Sequence, residues 1–414
     1  MMMKTAGKIL LTYLLLVLLF TGVLVAVFHI PTTAIEGNLR PSVQQIVDGP
    51  NFTTPASRVQ PWKLGTFSDC LILGIAYCGD SSHPLQSAMS AKFMMLDGSP
   101  IKGAQQMLDD PTHAKLQTVV YSRYWHGNQV VVRPLLCIMT TRGIRIFNIT
   151  LLTLLWLMLL VVMWRKIDRM SALIIMACLA AVMIPSVPLC FNYVPTFYLA
   201  LASSLLVLCW QQLTARQGKA AVFFFVIGAC TTYFDLLTTP MVALMVPLAV
   251  YMLYRKPDRP CRVLIMLSLC WLIGYASLWA TKWLLAATLM GPEAFHDAMR
   301  SVTQRTVGHN EQDYMVWCLK ASSVLFLAVA LIAAAVTILL GKSRQALQQH
   351  SWMLLVALSS FVWTFVLLEH SWHHLHFTWR TFVVLAIGLG LYWRHTLDVK
   401  HPLALFKKPN LSSR

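Results

Sequence analysis

The side chains able to do chemistry in this chain are few and unevenly placed. Asp69 opens an apolar run, FSDCLILGIAYCGD, and Arg123, His126 and Arg133 follow in YSRYWHGNQVVVRP. Asp235 lies in TTYFDLLTTP, and Lys282 stands between Trp279 and Trp283 in GYASLWATKWLL, with Arg300 and Arg305 soon after. The segment EHSWHHLHFTWR adds Glu369, His370, His373, His374, His376 and Arg380. A carboxylate can take the proton of an attacking hydroxyl. Arginine and lysine can neutralise a phosphate or diphosphate as charge develops on a leaving group. Glu369, His370, His373 and His374 have the spacing that gathers ligands on one helical face, but neither HExxH nor CxxC accompanies them, and no metal or other cofactor is expected. Carboxylates, cations and imidazoles at one membrane face suit chemistry on a lipid-linked phosphate, with the carboxylate as base toward an acceptor hydroxyl.

The same residues have structural readings. Lys282 between two tryptophans could be an interfacial anchor that snorkels. Asp235 could terminate its helix before Pro240, and the histidines could form an interfacial belt. Asp69 could be a helix N-terminal charge, and Arg123 and Arg133 could be solvated or paired on a surface helix. The collective arrangement is more informative than any one position.

What must hold these residues is a membrane bundle. Of 414 residues, 57% are hydrophobic and 12% charged, against about 45–50% and about 25% in soluble domains. Apolar stretches of the length that crosses a bilayer occur at 8–29, 144–164, 171–191, 194–213, 219–237, 240–254, 262–286, 317–341, 351–368 and 379–396. The sixth is short and separated from the fifth by Pro240, so that pair is either two spans or one broken hairpin. The first lacks a small-x-small cleavage site before His29 and reads as an uncleaved signal anchor.

With the N-terminus in the cytoplasm, the inside segments 1–7, 165–170, 214–218, 255–261, 342–350 and 397–414, with boundary residues, hold 18 of the 33 basic residues and three of the 16 acids. The net charge of +17 thus divides into +15 inside and +2 outside, the positive-inside pattern. The basic excess is topological and points to no nucleic-acid partner. The expected fold is an all-α polytopic membrane protein of about ten transmembrane helices, with both termini cytoplasmic. Its parts are a signal-anchor helix at 1–29, an extracytoplasmic loop subdomain at 30–143, a polytopic bundle at 144–396 and a basic tail at 397–414. Most of the ten cysteines lie in or beside spans, where thiols behave as small apolar groups. Cys70 and Cys78, in the outer loop, could pair or be held apart by helical spacing. Sequons occur at Asn51, Asn148 and Asn410, the last on the cytoplasmic side.

This layout, a first span followed by a large outer loop with an acidic residue and a bundle with basic residues at its outer face, resembles the GT-C superfamily of integral membrane glycosyltransferases. The segments YSRYWHG (121–127), TYFDLLTTP (232–240), GYASLWATKW (274–283) and HSWHHLHFTWR (370–380) are also similar to those of bacterial polytopic membrane proteins. The resemblance implies transfer of a sugar from a polyprenyl-phosphate donor to a cell-surface glycan or lipid-linked acceptor at the extracytoplasmic face. It places the catalytic acid at Asp69, about 40 residues beyond the first span and unpaired where family members often carry Asp-Glu, with Asp235 as the substitute. It gives phosphate binding to Lys282, Arg300 and Arg305, with Arg380 and Arg123 as additions, and acceptor orientation to His126. Three other classes remain open: a transporter or flippase for a lipid-linked saccharide, another enzyme of lipid-linked glycan assembly, and a non-catalytic scaffold.

Overall fold

The computed structural model describes residues 2–49, 64–110, 116–306 and 312–400. The sequons Asn51 and Asn410 and the basic residues Lys407, Lys408 and Arg414 lie outside them, as does the side chain of Lys4. In chain order the helices are α1 (Met2–Phe28), α2 (Thr32–Val47), α3 (Thr66–Tyr77), α4 (Pro84–Ser90), α5 (Pro100–Asp109), α6 (Gln129–Leu136), α7 (Thr141–Lys166), α8 (Arg169–Met183), α9 (Val194–Cys209) and α10 (Gln217–Phe234). They continue with α11 (Pro240–Arg255), α12 (Pro260–Met290), α13 (Glu293–Thr306), α14 (Gln312–Leu340), α15 (Arg344–Gln349), α16 (Trp352–Val366), α17 (Leu368–His373), α18 (Leu375–Thr378) and α19 (Val383–Thr396). Among the described residues the only strands are β1 (Phe93–Met94) and β2 (Thr118–Val119), paired antiparallel with Phe93 opposite Val119.

Every one of the ten apolar stretches carries a helix, the form in which a segment satisfies its own backbone polar groups away from water. Among the described residues, five helical runs are long and apolar enough to cross a membrane: Thr5–Phe28, Thr141–Lys166, Pro260–Met290, Asp313–Leu340 and Leu375–Thr396. Shorter apolar helices occupy Arg169–Met183, Val194–Cys209, Pro240–Arg255 and Trp352–Val366, and also Thr66–Tyr77. Residues 219–254 form two helices joined by a bent connection at 235–239, and α11 is buried from Pro240 to Leu253. α1 leaves Leu10, Leu11, Leu14, Leu15, Leu18 and Leu19 exposed, and the apolar face of α14 is likewise uncovered. Apolar faces this long on the outside of a helical bundle suit lipid.

Two apolar cores share the interior. One is built from α7–α12, α16 and α19. The other joins α1 to α2–α6 and reaches Ala229, Tyr233 and Leu278 on α10 and α12. The described residues of the 30–143 segment therefore share a core with α1 and with α10 and α12 of the bundle. Arg133, expected on a surface helix, is a buried clamp: its guanidinium donates to the carbonyls of Val27, Ile30 and Ala76, tying α1 to α3. A close seam joins α10 to α12, where a Cβ on Gly228 would sit 2.0 Å from the Trp271 carbonyl oxygen and one on Gly274 2.1 Å from that of Phe225. Such approach needs small residues, as in packed membrane helices generally.

The helix ends gather into two groups. At one, the basic end, Lys166 donates to the Leu208 carbonyl, Arg255 to that of Gln211, and Lys342 N–H to that of Thr396. At the other, the loop end, residues 121–127, 190–193, 235–239 and 370–380 come together under the α2–α6 segment. Cys70 and Cys78 are both free thiols. Eight residues of helix separate them by about 12 Å, beyond the reach of a disulfide. Asn148 is buried in α7 and accepts from the Tyr198 hydroxyl at 3.0 Å, so that sequon is not on a surface.

Candidate functional site at the loop end

The segment 121–127 is fastened to the bundle by its aromatic residues. The Trp125 indole N–H donates to the Leu278 carbonyl at 2.8 Å, and the Trp283 indole N–H donates to the Arg123 carbonyl at 3.0 Å. Gly127 N–H donates to the Tyr233 carbonyl at 2.9 Å, and a Cβ on Gly127 would lie 2.4 Å from the Tyr233 ring. This contact allows only glycine there. The Tyr124 ring meets Trp279 edge-on at 5.0 Å, and Arg305 of α13 lies 5.5 Å from its centroid. Arg123 pairs with Asp297 of α13 at 3.0 Å.

His126 is buried, and its Nε2–H donates to the Tyr121 carbonyl at 3.2 Å. That bond fixes the tautomer, leaving Nδ1 as a buried acceptor with no partner. Burial, with the Lys282 charge nearby, pushes this imidazole down to about 3, so it is neutral at ordinary pH. His370 repeats the arrangement. Its Nε2–H donates to the Leu237 carbonyl at 2.9 Å, its Nδ1 is buried without a partner, and burial reinforced by Arg305 again holds it near 3.

Asp235 ends α10 and caps the turn that follows. Both carboxylate oxygens accept from Thr238 N–H at 3.1 Å, and the Thr238 hydroxyl donates to Oδ1. Leu237, in the left-handed region at φ 61°, turns its carbonyl toward His370. Asp235 and Arg305 both lie within electrostatic reach of Tyr124 and Tyr275. The structure thus joins Asp235, Arg305, Tyr124, His370 and His374 in one nest. The rings of His373, His374 and His376 crowd against it, and the ring centroids of His370 and His374 are 4.7 Å apart. Among the described residues no group of three or more His, Cys, Asp or Glu is disposed to hold a metal ion.

Asp69 occupies a second nest, reached through Arg145. The carboxylate is 0% exposed, Oδ1 accepts the Phe191 N–H at 2.9 Å, and Oδ2 lies 3.5 Å from Arg145, which is 21% exposed. Burial raises Asp69 to about 7, against the lowering influence of Arg145 and the Phe191 N–H. A carboxyl group tuned to neutrality can both accept and hold a proton. Arg380 stands behind, 4.5 Å from the Tyr193 centroid, donating to the carbonyls of Val182 and His376 and to the Ser186 hydroxyl. Phe377 links the nests, 6.1 Å from Tyr193 and 6.0 Å from His370.

An apolar groove of about 260 Å³ is walled by Ile144, Phe191, Val194, Tyr198 and Leu199. Phe191 is the residue that holds Asp69, and Ile144 precedes Arg145. Asn128 also lines the groove; it is 5% exposed, yet neither its Oδ1 nor its Nδ2 has a partner. A buried carboxamide left unmatched costs free energy unless something completes it.

Not every expected residue joins these nests. Lys282 does not snorkel: it is 0% exposed, and Nζ donates to the carbonyls of Ala88 and Met89 at 3.2 and 2.9 Å, closing the C-terminus of α4. Its charge is spent on structure, so no open phosphate site remains at Nζ. Arg300 is exposed on α13, on a different face from Arg305. Arg380 is buried and committed to the contacts above, which suits positioning more than open binding. Sequence reasoning missed Arg145, Tyr124, Tyr193 and Asn128. Only Arg145 carried a signal, as a cation at the second position of the apolar stretch 144–164. The chain matches no protein-family model, no curated protein and no solved structure, and what the loop end can do chemically is told by its own side chains.

Proposed function

We propose that the chain is a multi-pass membrane glycosyltransferase of the GT-C kind, with ten spans, cytoplasmic termini and its loop end facing outward. It transfers a sugar from a polyprenyl-phosphate donor to a glycan or lipid-linked acceptor. The observation that carries this reading is an apolar groove that holds the unmatched carboxamide of Asn128 and is lined by Phe191, whose backbone N–H holds the Asp69 carboxylate beside Arg145. An amphiphile with an isoprenoid chain in the groove would set its phosphate by Arg145 and its head group by Asn128. Asp69 takes the proton of the acceptor hydroxyl as the oxygen attacks the anomeric carbon. The bond from that carbon to the phosphate oxygen breaks, the configuration inverts, and Arg145 meets the charge left on the polyprenyl phosphate. The Nδ1 atoms of His126 and His370 supply neutral acceptors for saccharide hydroxyls. The alternative is a transporter or flippase for a lipid-linked saccharide.

The test uses the purified full chain in proteoliposomes with radiolabelled polyprenyl-phosphate sugars, following both chemical consumption of the donor and its passage across the bilayer. Donor consumption that disappears in Asp69→Asn supports transfer. Passage without consumption, retained in Asp69→Asn, replaces the reading with transport.

A further inference from the structure

At the basic end lies a cleft of about 880 Å³ that the loop-end chemistry does not use. One wall is the turn between α11 and α12. Lys256, left-handed at φ 46°, ends α11, and Pro257 and Pro260 fix the path into α12. This turn presents Lys256, Arg259 and Arg262 to the cleft, with Asp258 the one acid in its lining. None of the three cations makes an ion pair among the described residues. The facing wall is α15, which contributes Gln348, and His350 and His395 close the side with rings stacked at 4.7 Å. The Nε2 atom of His395 is buried and has no hydrogen-bond partner. The floor is apolar, made by the buried Trp352 and Met353.

We propose that this cleft binds the headgroup of an anionic phospholipid. Basic residues that only orient a membrane protein need not converge. Here three cations from one turn, an amide from a second element and two imidazoles face a common space over an apolar floor. Phosphate oxygens would meet the cations, glycerol hydroxyls the amide and imidazoles, and the first acyl carbons Trp352. A basic pocket between helices at the level of the headgroups is a recurring form of lipid recognition. Free phosphate would leave the apolar floor unused. The proposal is independent of glycosyl transfer.

The test measures binding to the purified full chain in detergent, using dioctanoyl phosphatidylglycerol, dioctanoyl phosphatidylcholine and inorganic phosphate as separate probes. The expected result is saturable binding of the anionic lipid over the zwitterionic one, weakened about tenfold or more in the Arg259→Gln/Arg262→Gln variant. Arg165→Gln/Arg169→Gln removes the same charge from another turn at the same end and should leave binding within about twofold. Equal weakening by the two pairs would show diffuse surface charge and overturn the proposal. Equal affinity for inorganic phosphate would overturn the lipid as occupant, and so would no preference over phosphatidylcholine.

Discussion

Asp69 and Asp235 are both buried carboxylates at the loop end, but they are held in opposite ways. Asp235 is satisfied by its own turn, three residues away, through Thr238. Asp69 is held by a backbone N–H 122 residues away and by an arginine from a third element. A carboxylate closed by its local sequence can form wherever that sequence folds, and it serves the turn. One assembled from α3, α7 and the turn before α9 exists only in the finished bundle. Its Oδ2 is buried without a hydrogen bond, 3.5 Å from Arg145. The contrast separates an acid closed by its own turn from one assembled by the tertiary fold, and the proposed function gives the chemistry to the second.

The sharpest way to break the contrast is to neutralise each acid. Asp69→Asn, which keeps the Phe191 N–H contact, should lower donor turnover by about a hundredfold or more while the protein stays monodisperse. If Asp235→Asn does this instead, the roles are reversed. Arg145→Gln should lower turnover by about tenfold to a hundredfold. It should also move the alkaline-rising limb of the rate profile to higher pH, because Arg145 lowers Asp69 from where burial alone would put it. In the wild type that limb should rise near pH 7.

Stability gives a third test. Asp69 is raised in the folded chain from 3.8 to about 7, so between those values the folded state holds a proton that the unfolded state has lost. Its contribution therefore favours folding below about pH 4 and declines as pH rises to about 7. Unfolding in detergent across that range should show the decline, and Asp69→Asn should flatten it. The smaller effects belong to Asp235. Asp235→Asn should cost about 1–3 kcal/mol and Thr238→Ala about 1 kcal/mol of stability, read as lowered thermal midpoints with donor turnover largely kept in Thr238→Ala.

The helices were legible because their signal is local: each apolar stretch names its own secondary structure. The loop-end gathering was legible too, since apolar helices read as running back and forth would bring 121–127, 235, 282 and 370–380 to one face. Which side chains meet there was not. Lys282 between tryptophans has the composition of an anchor, and only the docking of α4 buries it. Arg145 looked like part of an apolar stretch, and Asn128 had no distinguishing neighbours. Asp69 and Arg380 share a nest through Tyr193, far from either in sequence. These are consequences of packing, which a spacing pattern does not encode.

The glycine seam has a mechanical consequence. Gly228 and Gly274 place each helix against the other's carbonyls, so sliding α10 along α12 by one residue would force a side chain into a space that admits none. Asp235 at the end of α10 and Lys282 on α12 thus belong to a fixed wall. α14, whose apolar face is uncovered, is held on its other side by the Trp372–Ser322 hydrogen bond and by the Trp317–Trp372 and Phe326–Phe361 ring contacts. On the proposed reading, any movement on adding donor should be found at α14 and not along the α10–α12 seam. Paired spin labels would show it: α10 to α12 distances constant on adding donor, α12 to α14 distances shifting. Constant distances at both pairs would leave the bundle with no gate on that side.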